Sequence, residues 1–248
     1  MPKTYVLGID YENVTLAKAT EDVLKMAKLK DGRYIVTPNP EISEGCRVDP
    51  KLGEAVSQAD YIVPDGIGVV MAAKILGRPL QERVGGYDLA CSLLPRMEKD
   101  KLSLFLLGAK PGVAELAAAN LRQKYPQLNI CGTNDGYFKD DEMVINKVKA
   151  ASPDFVFVAL GSPRQEIWMH QYAKDTHAGV LMGLGGSLDI FAGVAKRAPG
   201  IFIKLNIEWF YRLLRQPRRF VRMLKLPKYL FRAVFTRLFH MHKEDRQK

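Results

Sequence analysis

Short apolar runs recur along the first 195 residues, each ending in glycine, proline or a small polar residue and each followed by a segment with apolar positions at helical spacing. The runs predict strands over 5–9, 33–36, 61–63, 102–107, 128–131, 154–160 and 179–184. The helical spacing predicts helices over 14–29, 50–58, 66–76, from 88 to about 97, and over 113–124, 141–151 and 165–172. Strand, loop and helix alternating in this way predict a Rossmann-like α/β fold, a mostly parallel sheet with helices on both faces. The body, 1–195, closes near Pro199, and 196–248 differs in kind.

In such a sheet, ligands bind in the crevice at the carboxyl ends of the strands, so the residues that follow each run are the candidates for chemistry. Pro64 stops the strand of Tyr61, Ile62 and Val63 and leaves Asp65 at its carboxyl end, before Gly66. Asp65 has two readings: N-cap of the next helix or general base. Thr37 and Asn39 end the second run, and the prolines at 38 and 40 predict a stiff loop there. Glycine-containing turns at 108–112, 132–136, 161–163 and 183–187 let backbone N–H groups approach phosphates. They bring Gly108, Asn134, Asp135, Tyr137, Gly185 and Gly186 to the same edge as candidate substrate contacts. No GxGxxG follows the first run and no GxxxxGK[ST] exists, so a dinucleotide or P-loop site is weakly supported. Several such turns together still favour a nucleotide-type ligand.

Charge divides the chain. Residues 196–248 hold 15 Lys and Arg against 3 Asp and Glu, whereas residues 1–195 hold 22 against 24. The basic segment calls for an anionic partner: nucleic acid, anionic lipid or a phosphorylated substrate. Over 201–239 it interleaves basic with aromatic and aliphatic residues, and Pro217 and Pro227 divide it into short helices. Arg215, Arg218, Arg222, Lys225 and Arg232 share one face if the helical phase survives the prolines, with Phe210, Leu213, Leu214, Phe220, Val221 and Leu224 on the other. This pattern predicts a segment lying in a membrane interface. Alternatively, the helices pack on the body and only their basic face is solvated.

Several chemistries are disfavoured. Cys46, Cys91 and Cys131 form no CxxC pair, which argues against a zinc site or disulfide framework and fits a reducing cytoplasm. No signal peptide is expected, and no run of about 18 apolar residues suggests a membrane span. There is no Asp-x-Asp and no His pair at ligand spacing, so a divalent metal on a diphosphate is not indicated. Arg83, Arg164 and the tail arginines would then take the charge of a departing diphosphate.

The motifs Thr37-Pro38-Asn39-Pro40-Glu41, Pro64-Asp65-Gly66-Ile67-Gly68, Arg83-Val84-Gly85-Gly86-Tyr87-Asp88 and Gly161-Ser162-Pro163-Arg164-Gln165-Glu166 resemble those of the WecG/TagA/CpsF glycosyltransferase family. The similarity spans about 5–195, and Trp209-Phe210-Tyr211-Arg212-Leu213 resembles the C-terminal appendage of the TagA branch. The resemblance implies transfer of N-acetylmannosamine from UDP-N-acetylmannosamine to the 4-hydroxyl of undecaprenyl-diphosphate-N-acetylglucosamine, in linkage-unit synthesis for wall teichoic acid. It implies inversion, work at the cytoplasmic membrane face, and no metal or other cofactor.

On this reading Asp65 is the base, and Arg83 pairs with the diphosphate or orients Asp65. Thr37, Asn39 and Gln165 hold sugar hydroxyls or the acetamido group. Arg215, Arg218, Arg219 and Arg222 close over the departing UDP and hold the lipid diphosphate, so the appendage 196–248 completes the site at an anionic membrane. Another UDP-sugar donor, such as N-acetylmannosaminuronic acid or a hexose, stays open within the family. Outside it, the alternatives are a Rossmann oxidoreductase and a nucleic-acid-binding protein using the basic tail. The preferred reading expects no nucleic-acid partner, and self-association off the membrane through exposed apolar tail residues.

Overall fold

The structure is a computed structural model that describes residues 2–204, 208–215 and 224–245; for Lys204, Arg212, Leu214, Arg215 and residues 240–245 it describes the backbone only. The chain opens with an antiparallel hairpin, β1 (Lys3–Val6) and β2 (Ile9–Glu12), where one strand over 5–9 was expected. Leu7 (φ 50°) and Gly8 (φ 107°) both take positive φ, the condition of a type I′ two-residue turn. Glycine adopts that conformation at little cost, so the apolar run folds back on itself.

The expected parallel sheet is present. Strands β3 (Arg33–Val36), β4 (Tyr61–Ile62), β5 (Ser103–Gly108), β6 (Asn129–Asn134), β7 (Phe155–Ala159) and β8 (Val180–Gly183) pair in parallel in the order β4-β3-β8-β7-β5-β6. The connecting helices are α1 (Leu16–Ala27), α2 (Pro40–Cys46), α3 (Pro50–Ser57), α4 (Ile67–Ile75), α5 (Gly86–Lys99), α6 (Val113–Lys124), α7 (Asp141–Ala151), α8 (Arg164–Tyr172) and α9 (Ser187–Phe191). Both faces are covered, which is why the strands read as unbroken apolar runs. Leu104, Leu106, Phe155 and Phe157 pack against α1, α5 and α6 on one face, and Phe105, Leu107, Val156 and Val158 belong to the core on the other.

The stiff loop expected over 37–41 is shorter than predicted. Pro40 is the first residue of α2, a position where its missing N–H is no loss, and the Asn39 side chain caps the helix by accepting from Ile42 N at 3.0 Å.

Beyond the body lie α10 (Gly200–Lys204), α11 (Glu208–Arg215) and α12 (Lys225–Asp245). Helix α12 is seated on the body: Tyr229 and Ala233 are fully buried in the same core layer as Val69 and Ala72 of α4. Arg232 does not join the basic outer face proposed for it. Its Nη1 lies 2.8 Å from Glu44 Oε1, and Nη2 donates to the Leu7 carbonyl at 3.2 Å. Glu44 is itself buried, and a buried carboxylate needs a cation or donors close by, which draws Arg232 inward. Of the other tail cations named above, the Arg215 side chain and all of Arg218, Arg219 and Arg222 lie outside the described residues, as do Phe220 and Val221.

Candidate active site

Backbone hydrogen bonds bring three strand-end segments together. Asp65 N donates to Pro38 O at 3.3 Å, and Val84 N donates to Pro64 O at 2.9 Å. The Asp65 carboxylate therefore stands between the Thr37–Asn39 segment and the Arg83–Gly86 segment. Helix α4 is capped by Gly66 without a side-chain hydrogen bond, so the capping reading of Asp65 falls away. The Asp65 side chain is 31% exposed, open enough to meet a ligand, and its Oδ1 lies 3.7 Å from Arg83 Nη1.

Arg83 is the start of a charge chain. Its Nη2 pairs with Asp88 Oδ2 at 2.5 Å, and the other Asp88 oxygen pairs with Arg197 Nη2 at 2.5 Å. Glu208 Oε1, from α11, lies 3.7 Å from Arg83 Nη2 and 3.4 Å from Arg197 Nη2. The Arg197 guanidinium sits 4.7 Å over the Tyr87 ring, which stacks on Phe191 at 5.0 Å. Burial opposes the charge of Arg197, but Asp88 and then Glu208 outweigh it and raise its pKa. Burial, with Cys91 beside it, pushes the Tyr87 phenol up to about 12, so Tyr87 is a neutral platform. At the centre of this junction, a Cβ on Gly85 would lie 2.9 Å from Arg83 Nη1, 3.0 Å from Asp88 Oδ2 and 3.2 Å from Asp65 Oδ1.

The floor of the crevice continues along β3 and β8. Thr37 Oγ1 donates to Gly183 O at 3.5 Å, and Gly86 approaches Thr37 closely because it carries no side chain. Gln165 is buried; its Oε1 accepts from Gly185 N at 3.0 Å and its Nε2 donates to Glu166 Oε1 at 2.6 Å. Burial raises the pKa of Glu166 above its ordinary value. Gly186 follows as the N-cap of α9.

The remaining candidates sit further along the same edge. Arg164 donates to Gly136 O at 2.5 Å and to Phe138 O at 3.3 Å, with its guanidinium 4.5 Å from the Phe138 ring. It thereby fixes the loop after β6, which follows Asn134 and carries Asp135 and Tyr137. Asn134 Oδ1 accepts from Lys147 Nζ at 3.0 Å, Asp135 accepts from Tyr137 N at 2.7 Å, and the Tyr137 side chain projects into solvent. Gly108 ends β5 against Ala159, where any Cβ would strike the Ala159 carbonyl. Chain order runs outward from β5 to β6 but back from β7 to β8, so the β5/β7 crevice beside Gly108 is a topological switch point suited to a ligand.

Thr37, Asn39, Asp65, Arg83, Gln165, Gly185 and Gly186 thus form one arc, with Gly108, Arg164, Asn134, Asp135 and Tyr137 beyond it. Asp88, Arg197 and Glu208 were not singled out from the sequence. Asp88 had a signal, since it closes the motif that begins at Arg83. Arg197 and Glu208 were hidden in the charge sum of the tail. Among the described residues, no group of three or more His, Cys, Asp and Glu side chains is placed to hold a metal ion.

A parallel sheet covered on both faces, with a carboxylate–arginine pair at its strand ends, defines an α/β protein with a ligand crevice at that edge. The profile of the Glycosyl transferase WecG/TagA/CpsF family matches residues 4–243, and the chain belongs to that family; it is a glycosyltransferase. Among its relatives, the N-acetylglucosaminyldiphosphoundecaprenol N-acetyl-beta-D-mannosaminyltransferase of Bacillus spizizenii is 46% identical over 199 residues, covering 80% of this chain and 77% of the relative. The protein of the same name from Bacillus subtilis is 44% identical over 200 residues, covering 81% and 78%. That of Staphylococcus aureus is 37% identical over 232 residues, covering 93% and 91%, so the likeness reaches into the appendage.

Proposed function

We propose that the protein transfers N-acetylmannosamine from UDP-N-acetylmannosamine to the 4-hydroxyl of undecaprenyl-diphosphate-N-acetylglucosamine, in wall teichoic acid linkage-unit synthesis. The acceptor and the transferred sugar are those named for the relatives from Bacillus spizizenii and Staphylococcus aureus. The observation that carries the chemistry is Asp65, partly open at the end of β4 with Arg83 beside it. Asp65 removes the proton from the acceptor hydroxyl as that oxygen attacks C1 of the donor sugar. The bond from C1 to the UDP oxygen breaks on the opposite face, so the anomeric centre inverts. No covalent intermediate forms, and UDP leaves with the electron pair.

Arg83 and the tail arginines Arg215, Arg218, Arg219 and Arg222 balance the diphosphate, so no metal is needed. Thr37, Asn39 and Gln165 face the sugar. Asn39 and Gln165 each already hold backbone N–H groups, which fixes the orientation of their amides before substrate arrives. Arg164 acts through the loop of Asn134, Asp135 and Tyr137, and Gly108, Gly185 and Gly186 let phosphates or the base approach the backbone.

The protein works at the inner face of the cell membrane. Among the described residues, no helix is long and apolar enough to span a bilayer. Helix α12 instead exposes Phe231, Val234, Phe235, Leu238 and Phe239 on the side away from Tyr229, with Phe231 and Phe235 stacked at 6.4 Å. A large aliphatic and aromatic face beside a basic segment favours lipid over nucleic acid. Off the membrane the same face favours self-association.

The test is a panel of UDP-sugars with a short-chain diphospholipid acceptor, read by mass spectrometry, with the product anomer assigned by NMR. N-acetylmannosamine transfer with inversion and unchanged turnover in EDTA is the expected result. Transfer of uronic acid or hexose alone overturns the donor, retention overturns the role of Asp65, and loss of turnover in EDTA overturns metal independence.

A further inference from the structure

The two arginines at the centre of the site share two carboxylates. Asp88 grips both Nη2 atoms at 2.5 Å, one with each oxygen. Glu208 Oε1 lies 3.7 and 3.4 Å from the same two nitrogens. Asp88 belongs to the first turn of α5, inside the body. Glu208 begins α11, whose next two residues, Trp209 and Phe210, are exposed. The inner carboxylate sets the spacing of the guanidinium groups; the outer one occupies the position between them.

We infer that Glu208 Oε1 marks a diphosphate-oxygen subsite formed by Arg83 and Arg197, and that the carboxylate is a resident stand-in that leaves when the diphosphate enters. This deepens the donor reading above and rests on it. A carboxylate and a phosphate oxygen are held by guanidinium in the same way, by charge-assisted N–H···O bonds. Two like charges at one position repel, so both anions cannot stay. Tyr87 and Phe191 fix Arg197 from below, and Asp88 fixes it from the side, so the pair of cations is in place before the ligand arrives. Departure of Glu208 carries α11 with it, which ties the position of the appendage to occupancy of the site. The diphosphate is that of the nucleotide sugar or that of the lipid acceptor, and the two are separable by experiment.

The test uses the full chain in detergent, with calorimetric titration of UDP, uridine and farnesyl diphosphate into wild type, Arg197→Gln, Arg197→Lys and Glu208→Gln. Loss of charge-assisted bonds to a phosphate corresponds to roughly tenfold or more in affinity. Arg197→Gln is expected to weaken UDP by about that factor while uridine binding stays unchanged, and Arg197→Lys to recover part of it. Glu208→Gln is expected to tighten UDP several-fold. The same pattern with farnesyl diphosphate in place of UDP also supports the subsite and assigns it to the lipid. Thermal melts separate these effects from unfolding, because uridine binding and the melting temperature hold in a folded variant. If wild type binds UDP and Arg197→Gln binds both diphosphates equally well, the subsite is overturned and the donor reading stands. Weaker diphosphate binding in Glu208→Gln overturns the stand-in. If wild type binds neither diphosphate, both readings fall.

Discussion

Arg83 reaches Asp65 with one terminal nitrogen, Nη1 at 3.7 Å from Oδ1, while its other, Nη2, is held at 2.5 Å by Asp88. Asp88 thus orients the cation, and Asp65 stands beside it at the end of β4. Asp65→Asn keeps the shape and removes the carboxylate proposed as the base. It is expected to lower kcat by about 10²–10⁴-fold with UDP affinity unchanged. Single-turnover rates beside UDP titration check this, and near-normal turnover would reject the proton transfer.

Gly85 offers a cleaner steric probe of the same junction. A methyl group there would crowd Arg83 Nη1, Asp88 Oδ2 and Asp65 Oδ1, all within 3.2 Å of the new Cβ. All three are ends of side chains that can swing away, so the fold tolerates the change, but the charged groups cannot keep their mutual geometry. Gly85→Ala is expected to leave the melting temperature within a few degrees of wild type and to reduce kcat/KM by about 10²-fold. A variant that melts early without a specific loss of turnover would show that residue 85 matters only for packing.

Glu166 predicts a pH dependence of stability. Its carboxyl is buried and its pKa raised above the ordinary 4.5 by desolvation. Below about pH 4.5 it is protonated in the folded and the unfolded chain alike. Above that value the unfolded chain releases the proton while the folded chain still holds it, so its contribution to stability falls as pH rises through the raised value. Glu166→Gln cannot titrate and still offers an acceptor to Gln165 Nε2. Its melting temperature is expected to match wild type in acid and to exceed it increasingly toward neutral pH. Parallel melting curves at every pH would contradict this.

The parallel sheet was legible because strands buried on both faces must be apolar throughout, and five of the expected runs that overlap its strands end at the crevice now seen. The hairpin was not, because its turn is Leu7-Gly8 rather than the Asn-Gly that announces one. Asn39 and Pro40 read as loop residues although the pair also spells a helix start. Asp65 and Arg83 were legible from their places after a strand and within a motif. The contact of Asp88 with Arg197 spans 109 residues and depends on how the tail returns to the body, which no local pattern encodes. Arg232 pointed the wrong way for a related reason: its phase was carried across two prolines, and the buried Glu44 that attracts it lies in another element.

The two faces of α12 give the last prediction. Tyr229 is fully buried against the body, whereas Phe231 and Phe235, on the opposite side, are 72% and 51% exposed. Truncating a buried aromatic leaves a cavity and costs about 3 kcal/mol, so Tyr229→Ala is expected to lower the melting temperature and free α12 from α4. Replacing exposed aromatics with serine leaves the contacts of α12 with the body in place and removes only surface ring contacts, so Phe231→Ser with Phe235→Ser is expected to melt close to wild type. Each removed ring takes away apolar area that would enter the lipid interface, at about 25 cal/mol per Å². The double variant is therefore expected to lose most binding to vesicles of anionic lipid in flotation while keeping its affinity for soluble UDP. Turnover should fall with a membrane-embedded acceptor and recover with a short-chain acceptor in solution. Vesicle binding equal to wild type would mean that α12 meets water, not lipid, on its phenylalanine face, and that the membrane is contacted by some other part of the chain.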